Sequence, residues 1–278
     1  MLGWTTPRSV PRPCGPHQLE PMQSTINALA FPHPPRQSHG TRRLMESSNL
    51  LWLTADSGER IPALYVKRRR DSQRGKRILV LYSHGNAEDL TELLDEVNLM
   101  AQQLDADVMA YEYIGYSIAD GKPSEAGCYA SAAAAYAWAV SESGGGAAPH
   151  EIVPFGRSLG SAPACHMAST APSPVCGLVL QSPLLSGGNA LLGRGIASIG
   201  ACLDILKNYD HIQNVRCRVA ICHGTVDRVV PCWNGRMLHQ MAAEAHEPLW
   251  CEGRGHNDMD TETVLIWARR FLDHQALW

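Results

Sequence analysis

Short apolar runs alternate with helical segments through most of this 278-residue chain, and this alternation constrains the fold more than any other feature. Runs such as Ile78–Ser83 and Val175–Gln181 suit strands that are buried on both faces of a sheet. After Asp89, leucines and valines recur at helical spacing, and an alanine-rich stretch covers Glu125–Ser143. Strands that alternate with helices form mostly parallel sheets with helices on both faces. We therefore predict an α/β fold with a central, mostly parallel sheet.

The predicted elements follow in chain order. Strands are expected at Leu50–Ala55, Ile61–Lys67, Ile78–Ser83, Asp107–Ser117 (with its exit loop), Ile152–Phe155, Val175–Gln181, Arg218–Cys222 and Leu249–Glu252. Helices are expected from Asp89 onward, where Asp89 and Glu92 resemble a capping box, and at Glu125–Ser143, Leu159–Ser169, Trp233–Ala245 and Glu262–His274. The first two strands are joined at Asp56-Ser57-Gly58, which predicts a hairpin.

Residues 1–45 differ in composition from the rest of the chain. Eight prolines fall within the first 35 residues, and Glu20 is the one acid among several arginines before residue 46. Because proline interrupts helices, we predict that this segment is poorly ordered, apart from a short turn at Thr25–Phe31. Residues 46–278 are then predicted to form one domain. Within it, residues 184–215 show no clear strand and are predicted to form a small cap that contributes an apolar acyl groove or closes the core.

Composition excludes several classes of protein. The 24 basic and 27 acidic residues leave a net charge of −3, which argues against a dedicated nucleic-acid binder. No run of about 20 apolar residues predicts a transmembrane helix, and the start lacks the apolar region of a secretory signal. The nine cysteines lack CxxC spacing and the twelve histidines lack HExxH, so we expect no metal or cofactor. Unpaired buried thiols are typical of a reducing cytoplasm.

The strongest local signal is the pentapeptide Gly156-Arg157-Ser158-Leu159-Gly160. It has the pattern GxSxG, and it lies between the apolar strand that ends at Phe155 and a predicted helix. In this context the pattern is typical of a nucleophile elbow, a sharp turn that exposes a serine hydroxyl at the carboxyl edge of a sheet. Ser158 is therefore the candidate nucleophile.

A serine nucleophile needs a base, and the base needs an acid that orients it. In the α/β-hydrolase fold the three follow in the order serine, acid, histidine. Asp227 follows the predicted strand that ends at Cys222, and His256 lies in a glycine-rich loop after the last predicted strand. We predict the catalytic triad Ser158, Asp227 and His256. Asp204 and Asp258 are weaker candidates for the acid, because Asp204 lies in the cap and Asp258 is too close to His256.

An acyl-transfer site also needs hydrogen-bond donors for the oxyanion. One predicted donor is the backbone N–H of Leu159, which follows the nucleophile. The other comes from the loop after the third strand, where we favour the N–H of Asn86 over that of Ala87. His84, in the same loop, is expected to support the loop by a hydrogen bond and not to bind a metal.

Several segments together resemble one family, the α/β-hydrolase domain-containing protein 17 family. The resemblance runs from about Ala28 to Phe271. It rests on the blocks SHGNAEDL, YEYIGYS, GKPSE, FGRSLGSAP, LVLQSPLLSG, HGTVDRVV and PLWCEGRGHND, in this order. The resemblance implies a serine hydrolase that removes palmitate from cysteines of membrane-attached proteins. The family's triad falls on Ser158, Asp227 and His256, the residues that the pattern already selects.

Two features in which this chain differs from the family pattern concern attachment to membranes. The family typically carries an N-terminal cluster of palmitoylated cysteines, whereas only Cys14 precedes the domain here. Lys67–Arg77 has seven basic residues of eleven, which suits a solvated loop, a patch for anionic lipid or a nuclear signal. We expect a cytoplasmic protein, with peripheral contact to the cytosolic face of anionic membranes as an alternative.

Three functions remain open from sequence. The first is hydrolysis of fatty-acyl thioesters on S-acylated (palmitoylated) proteins. The second keeps the same triad for small carboxyl esters or lipid-like acyl esters. The third, a non-catalytic adaptor with a hydrolase fold, predicts a broken triad, whereas the triad residues here are all present.

Overall fold

The computed structural model describes residues 30–31, 38–69, 75–86, 88–192 and 204–275. The predicted turn at Thr25–Phe31 and most of the predicted poorly ordered segment 1–45 lie outside these residues. So do residues 193–203 of the predicted cap.

A single eight-stranded sheet runs through the described part of the chain. Its strands are β1 (Leu50–Thr54), β2 (Arg60–Val66), β3 (Leu79–Ser83), β4 (Asp107–Tyr111), β5 (Ile152–Arg157), β6 (Leu178–Gln181), β7 (Val219–Gly224) and β8 (Leu249–Cys251). The spatial order is β1-β2-β4-β3-β5-β6-β7-β8. Strands β3 to β8 are parallel, β2 pairs antiparallel with β4, and β1 pairs antiparallel with β2 at the sheet edge. The predicted mostly parallel α/β sheet is confirmed.

Helices precede, separate and follow the strands along the described part of the chain. They are α1 (Ser38–Met45), α2 (Leu90–Leu104), α3 (Glu125–Val140), α4 (Ser161–Thr170), α5 (Gly187–Leu192), α6 (Asn208–His211), α7 (Trp233–Met241) and α8 (Thr261–Gln275). Asp89 caps α2, since its carboxylate accepts the Thr91 N–H at 2.8 Å. Helix α3 ends three residues before the predicted Ser143, because Ser141 has an extended backbone and its N–H bonds to Ala137 O.

The two faces of the sheet bury different helices. Side chains alternate along β3, so that Leu79 and Leu81 face one core and Val80 and Tyr82 face the other. The first core contains the alanine-rich faces of α3 and α4 together with part of α7. The second core contains α1, α2 and α8. Both faces are covered, which explains why the parallel strands are uniformly apolar.

Helix α1 lies before the predicted start of the domain at residue 46. Its Leu44 is fully buried in the second core, and Arg43 pairs with Asp95 of α2 at 3.4 Å. The folded unit therefore includes residues that the composition of 1–45 assigned to a poorly ordered segment. The proline content of the first 35 residues does not predict the order of α1, because α1 follows those prolines and contains none itself.

The basic segment at 67–77 starts and ends at the edge of the sheet opposite Ser158. It leaves β2 at Val66, which pairs with Val108 near the amino end of β4. It then enters the amino end of β3. Arg77 donates to Asp107 Oδ2 at 3.1 Å and to Gly145 O at 2.7 Å, and the Arg68 N–H donates to Asp107 Oδ1 at 3.0 Å. At least these two arginines therefore fix the loop to the sheet edge. Residues 70–74 lie outside the described part.

Within the described residues, no helix combines the length and the apolar character needed to cross a bilayer.

We predict that Leu44→Ala destabilises the domain by about 2–5 kcal/mol, because it removes a fully buried side chain from a packed core. The matched control is Met45→Ala, whose side chain is largely exposed and should change stability by less than about 0.5 kcal/mol. Urea unfolding followed by circular dichroism measures both. Equal stability of the two variants would place α1 outside the folded domain.

Candidate active site

The nucleophile elbow depends on two positions that exclude any side chain. Ser158 has a left-handed backbone with φ of 53°, which a non-glycine residue adopts only when its surroundings force it. A Cβ on Gly160 would lie 2.0 Å from Ser83 O, and one on Gly156 would lie 2.4 Å from Gly160 O. The glycines therefore let the turn pass against the end of β3. A short 3₁₀ turn, Ser158–Gly160, leads into α4, as the GxSxG pattern predicts.

The structure brings Ser158, His256 and Asp227 together at the carboxyl edge of the sheet. The Ser158 hydroxyl lies 2.9 Å from His256 Nε2, and His256 Nδ1 donates to Asp227 Oδ2 at 2.7 Å. The Asp227 side chain is fully buried, and that of His256 is 10% exposed. These contacts have the geometry of a nucleophile, a base and an orienting acid.

Asp227 is held ionised by its hydrogen bonds. Burial opposes its charge, but donors from His223 and His256 and the Val230 N–H outweigh burial and hold the pKa of Asp227 well below its usual range. The Val229 and Val230 N–H groups both donate to Oδ1, while Oδ2 faces His256 at 2.7 Å and His223 at 3.3 Å. A permanent carboxylate therefore faces the imidazole at neutral pH.

The loops that carry the acid and the base are bonded to each other. The Val226 N–H donates to Arg254 O at 3.0 Å, and the Thr225 N–H donates to Cys251 O at 3.0 Å. Gly224 permits this contact, since a Cβ there would lie 2.3 Å from Arg254 O. The separation of Asp227 from His256 is thus fixed by the backbone of two neighbouring strands.

The two rejected acids have other partners. Asp204 accepts the Gly188 N–H at 2.8 Å, which closes the start of the cap. Asp258 accepts the Gly255 N–H at 2.5 Å within the loop of His256. Asp258 thus stabilises a local turn, and Asp204 joins two parts of the cap that are 16 residues apart along the chain.

The loop after β3 lies beside the nucleophile. Asn86, Ser158 and Leu159 line one pocket of about 140 Å³. The Asn86 side chain donates to Ala30 O at 2.9 Å and accepts from the Tyr116 hydroxyl at 3.0 Å, which fixes the loop at the pocket wall. The assignment of the Asn86 and Leu159 N–H groups as oxyanion donors stays a prediction, and the alternative, Ala87, lies outside the described residues.

His84 supports this loop from inside the protein. Its Nε2 lies 2.9 Å from Glu112 Oε1, and both side chains are fully buried. Burial disfavours the imidazolium, but the adjacent carboxylate outweighs burial and raises the pKa of His84. Glu112 also accepts the N–H groups of Leu90 and Tyr113. Within the described residues, no group of three or more His, Cys, Asp or Glu side chains is placed to hold a metal.

The described part of the predicted cap and the loop after Asp227 both contribute to the apolar wall of the pocket. The residues that contribute apolar surface are Leu184, Ile205, Leu206, Val229 and Val230. Leu184, Ile205 and Leu206 also belong to the first core, so these residues both line the pocket and close the core.

Sequence reasoning missed three groups that hold the site. His223 lies under Asp227, Glu112 lies under His84, and Arg157 links loops around the elbow. His223 and Glu112 each occur in a run of mostly apolar or aromatic residues. A titratable side chain in such a run is the one sequence signal that could have indicated a buried, paired group. The partners themselves are distant in sequence.

We predict that Gly160→Ala lowers the free energy of unfolding by about 1–3 kcal/mol or more, because the new Cβ would overlap backbone oxygens of residues 83 and 84. The same displacement should remove the reactivity of Ser158. Gly75→Ala is the control, since a Cβ at that glycine meets nothing within 4 Å. Thermal unfolding and labelling by a fluorophosphonate measure the two effects. A Gly160→Ala protein with normal stability and labelling would contradict the close approach at the elbow.

No protein-family profile matches this chain. Individual curated proteins of similar sequence do, and they belong to one family. Alpha/beta hydrolase domain-containing protein 17C of Xenopus tropicalis is 33% identical over 202 residues, which cover 72% of this chain and 63% of that protein. Alpha/beta hydrolase domain-containing protein 17B of the same frog is 34% identical over 203 residues, which cover 73% and 67%. The chain thus spans less than two thirds of the length of the 17C protein.

Solved structures agree with the fold. An esterase of Thermogutta terrifontis, Est2 with propionate bound, superposes with a TM-score of 0.65 at 19% identity, over 83% of this chain and 95% of its own. Est1E of Butyrivibrio proteoclasticus with ferulic acid bound gives a TM-score of 0.64 at 16% identity, over 82% and 100%. At these identities the likeness shows the α/β-hydrolase fold. The sequence relatives show that the chain belongs to the alpha/beta hydrolase domain-containing protein 17 family.

Proposed function

We propose that this protein is a serine hydrolase that cleaves fatty-acyl thioesters through Ser158, His256 and Asp227. The observation that carries the proposal is the continuous hydrogen-bonded series from the Ser158 hydroxyl through His256 to a buried carboxylate. It lies beside a pocket that contains the serine and apolar walls. An adaptor without catalysis would not need this geometry.

The reaction proceeds in two halves. His256 Nε2 takes the hydroxyl proton while Ser158 Oγ bonds to the acyl carbon, and the collapse of the tetrahedral intermediate expels the thiolate, which takes the proton from His256. Water then enters, His256 takes one of its protons, and the resulting hydroxide bonds to the acyl carbon. The second tetrahedral intermediate breaks the bond to Ser158 Oγ, which takes the proton back from His256, and the acyl group leaves as a carboxylic acid. Asp227 stabilises the imidazolium in both halves. The predicted N–H groups of Leu159 and Asn86 receive the negative charge of the carbonyl oxygen.

The apolar wall of the pocket suits the acyl group better than any polar part of the substrate. Leu184, Ile205 and Leu206 present apolar surface beside Ser158, and burial of a methylene is worth about 0.8 kcal/mol. A long acyl chain therefore gains affinity along this wall. Membership of the protein 17 family and its resemblance to depalmitoylases favour S-acylated proteins as the source of that chain.

A second candidate is a carboxylesterase or lipase that acts on small or lipid-like oxyesters. It is favoured by the fold likeness to two esterases and by a triad that suits both kinds of ester. Hydrolysis rates for matched palmitoyl thioester and oxyester substrates, compared with butyryl analogues, distinguish the two candidates. A preference for short oxyesters would overturn the thioesterase proposal and leave the hydrolase.

Contact with anionic membranes is a separate part of the proposal. The basic segment 67–77 meets the sheet at the edge opposite Ser158, so binding through it would orient the catalytic edge away from the lipid. A cytoplasmic location and peripheral membrane contact therefore stay predictions that the catalytic proposal does not require.

We predict that Ser158→Ala abolishes hydrolysis and fluorophosphonate labelling, because it removes the attacking oxygen. The loss in kcat should be on the order of 10⁴-fold or more. Ser169→Ala is the control, since this hydroxyl on α4 contacts His166 O and lies outside the triad. Gel-based labelling and ester turnover give the measurement, and folded Ser158→Ala protein with normal turnover would refute the serine-hydrolase proposal.

We predict that Asp227→Asn lowers kcat by about 10⁴-fold with a small change in KM, because it disturbs the tautomer of His256 and leaves the apolar wall intact. Asp95→Asn makes the same chemical change at an exposed site and should have wild-type kinetics. Steady-state kinetics with a soluble thioester test both. If Asp204→Asn were as damaging and Asp227→Asn were silent, the acid would be Asp204.

A further inference from the structure

Arg157 lies between Gly156 and Ser158, and its guanidinium contacts two other loops of the site. Nη1 is 2.6 Å from Glu88 Oε1, in an ion pair whose side chains are 18% and 22% exposed. Nη2 donates to Asn257 Oδ1 at 3.2 Å. One side chain on the elbow therefore reaches the loop after β3 and the loop after β8.

The contact with Glu88 continues into the predicted oxyanion loop. Glu88 Oε2 accepts the Gly85 N–H at 2.9 Å, while its other oxygen bonds Arg157. Gly85 directly precedes Asn86, whose N–H is the predicted donor to the oxyanion. The carboxylate of Glu88 thus connects the position of this loop to the elbow.

The contact with Asn257 reaches the base. Asn257 directly follows His256, and the His256 imidazole bonds the Ser158 hydroxyl. Arg157, His256 and Asn257 border one cavity of about 90 Å³ beside the triad. A movement of the Asn257 backbone would therefore change the distance between base and nucleophile.

We propose that Arg157 is a positioning residue that holds the oxyanion loop and the histidine loop in register with Ser158. Arginine suits this task because its planar fork of five N–H donors can serve two partners in different directions, whereas a lysine ammonium reaches one partner as a point charge. Bonds between ionised groups in a partly buried site are stronger than neutral ones. The proposal rests on the proposed hydrolase activity, since it assigns a role in the same site.

This role has a kinetic signature. Arg157 contacts neither the apolar wall nor the Ser158 hydroxyl in the described contacts, so its loss should leave acyl binding intact. It should lower the rate of the chemical step, because small displacements of catalytic groups cost up to about 10²-fold. We expect Arg157→Gln, Glu88→Gln and Asn257→Ala each to lower kcat by about 10- to 100-fold, with KM within about twofold of wild type.

The test is a pair of double-mutant cycles, Arg157→Gln with Glu88→Gln and Arg157→Gln with Asn257→Ala. The readouts are kcat and KM for a soluble p-nitrophenyl butyrate substrate, the rate of fluorophosphonate labelling, and thermal unfolding of each variant. In each cycle the double variant should be about as slow as the slower single variant, because both changes break one link. Arg157→Lys, which can keep the Glu88 contact alone, should fall between wild type and Arg157→Gln.

Arg269→Gln is the matched control. Arg269 is a partly buried arginine that contacts Asp105 and Gln103 O at the other end of α2. It also pairs with Asp273 at 3.6 Å. It should lose stability without a change in kcat of the folded protein. This separates a general loss of a tether from a loss at the catalytic loops.

Three results would overturn the proposal. Wild-type kcat and labelling rate in folded Arg157→Gln would remove the positioning role while the hydrolase stands. Multiplicative losses in both cycles would show that Arg157 does not act through Glu88 or Asn257. If wild-type protein neither labels nor turns over the ester, the hydrolase proposal fails, and the positioning role fails with it.

Discussion

The close approach of the nucleophile turn to the end of β3 is the constraint on which the rest of the site depends. A Cβ on Gly160 would lie 2.0 Å from Ser83 O, so α4 can begin where it does only because that side chain is absent. The same turn forces Ser158 into a left-handed backbone, which raises its hydroxyl above the sheet edge. Strain of this kind persists only where the surrounding structure over-determines it. Here the parallel strands on both sides of β5 supply that rigidity.

Buried or partly buried carboxylates hold the loops around this turn. Asp227, Glu112 and Glu88 each accept at least one backbone N–H and face a histidine or an arginine. Leaving one of them unpaired would be costly, because a buried charge without partners loses its hydration. The three acids therefore fix loop positions more than they add to stability. Asp227 belongs to the candidate triad, whereas Glu112 and Glu88 act on the loop after β3, which lies beside Ser158.

The two edges of the sheet have different chemistry. The carboxyl edge carries the triad residues and the apolar pocket wall, while the amino edge receives the basic segment 67–77, anchored through Asp107. Parallel strands separate these edges by the length of a strand, about 17–20 Å for five to six residues. A lipid surface that met the basic segment would not meet the pocket in the same orientation. Helix α1, buried through Leu44, adds residues before position 46 to the same folded unit.

Local pattern and strand-end position were enough to predict the alternation of strands and helices, the elbow at Ser158, and a candidate acid and histidine in that order after it. The sequence predicted the strand positions to within a few residues and erred at ends such as Val140, where the cap geometry decides. Only the tertiary structure brought Arg157 to Glu88 and Asn257, and His223 to Asp227, and it alone placed α1 in the core. These contacts join residues whose spacing along the chain carries no period. Their partners are selected by the packing of loops at one sheet edge, which local sequence does not encode.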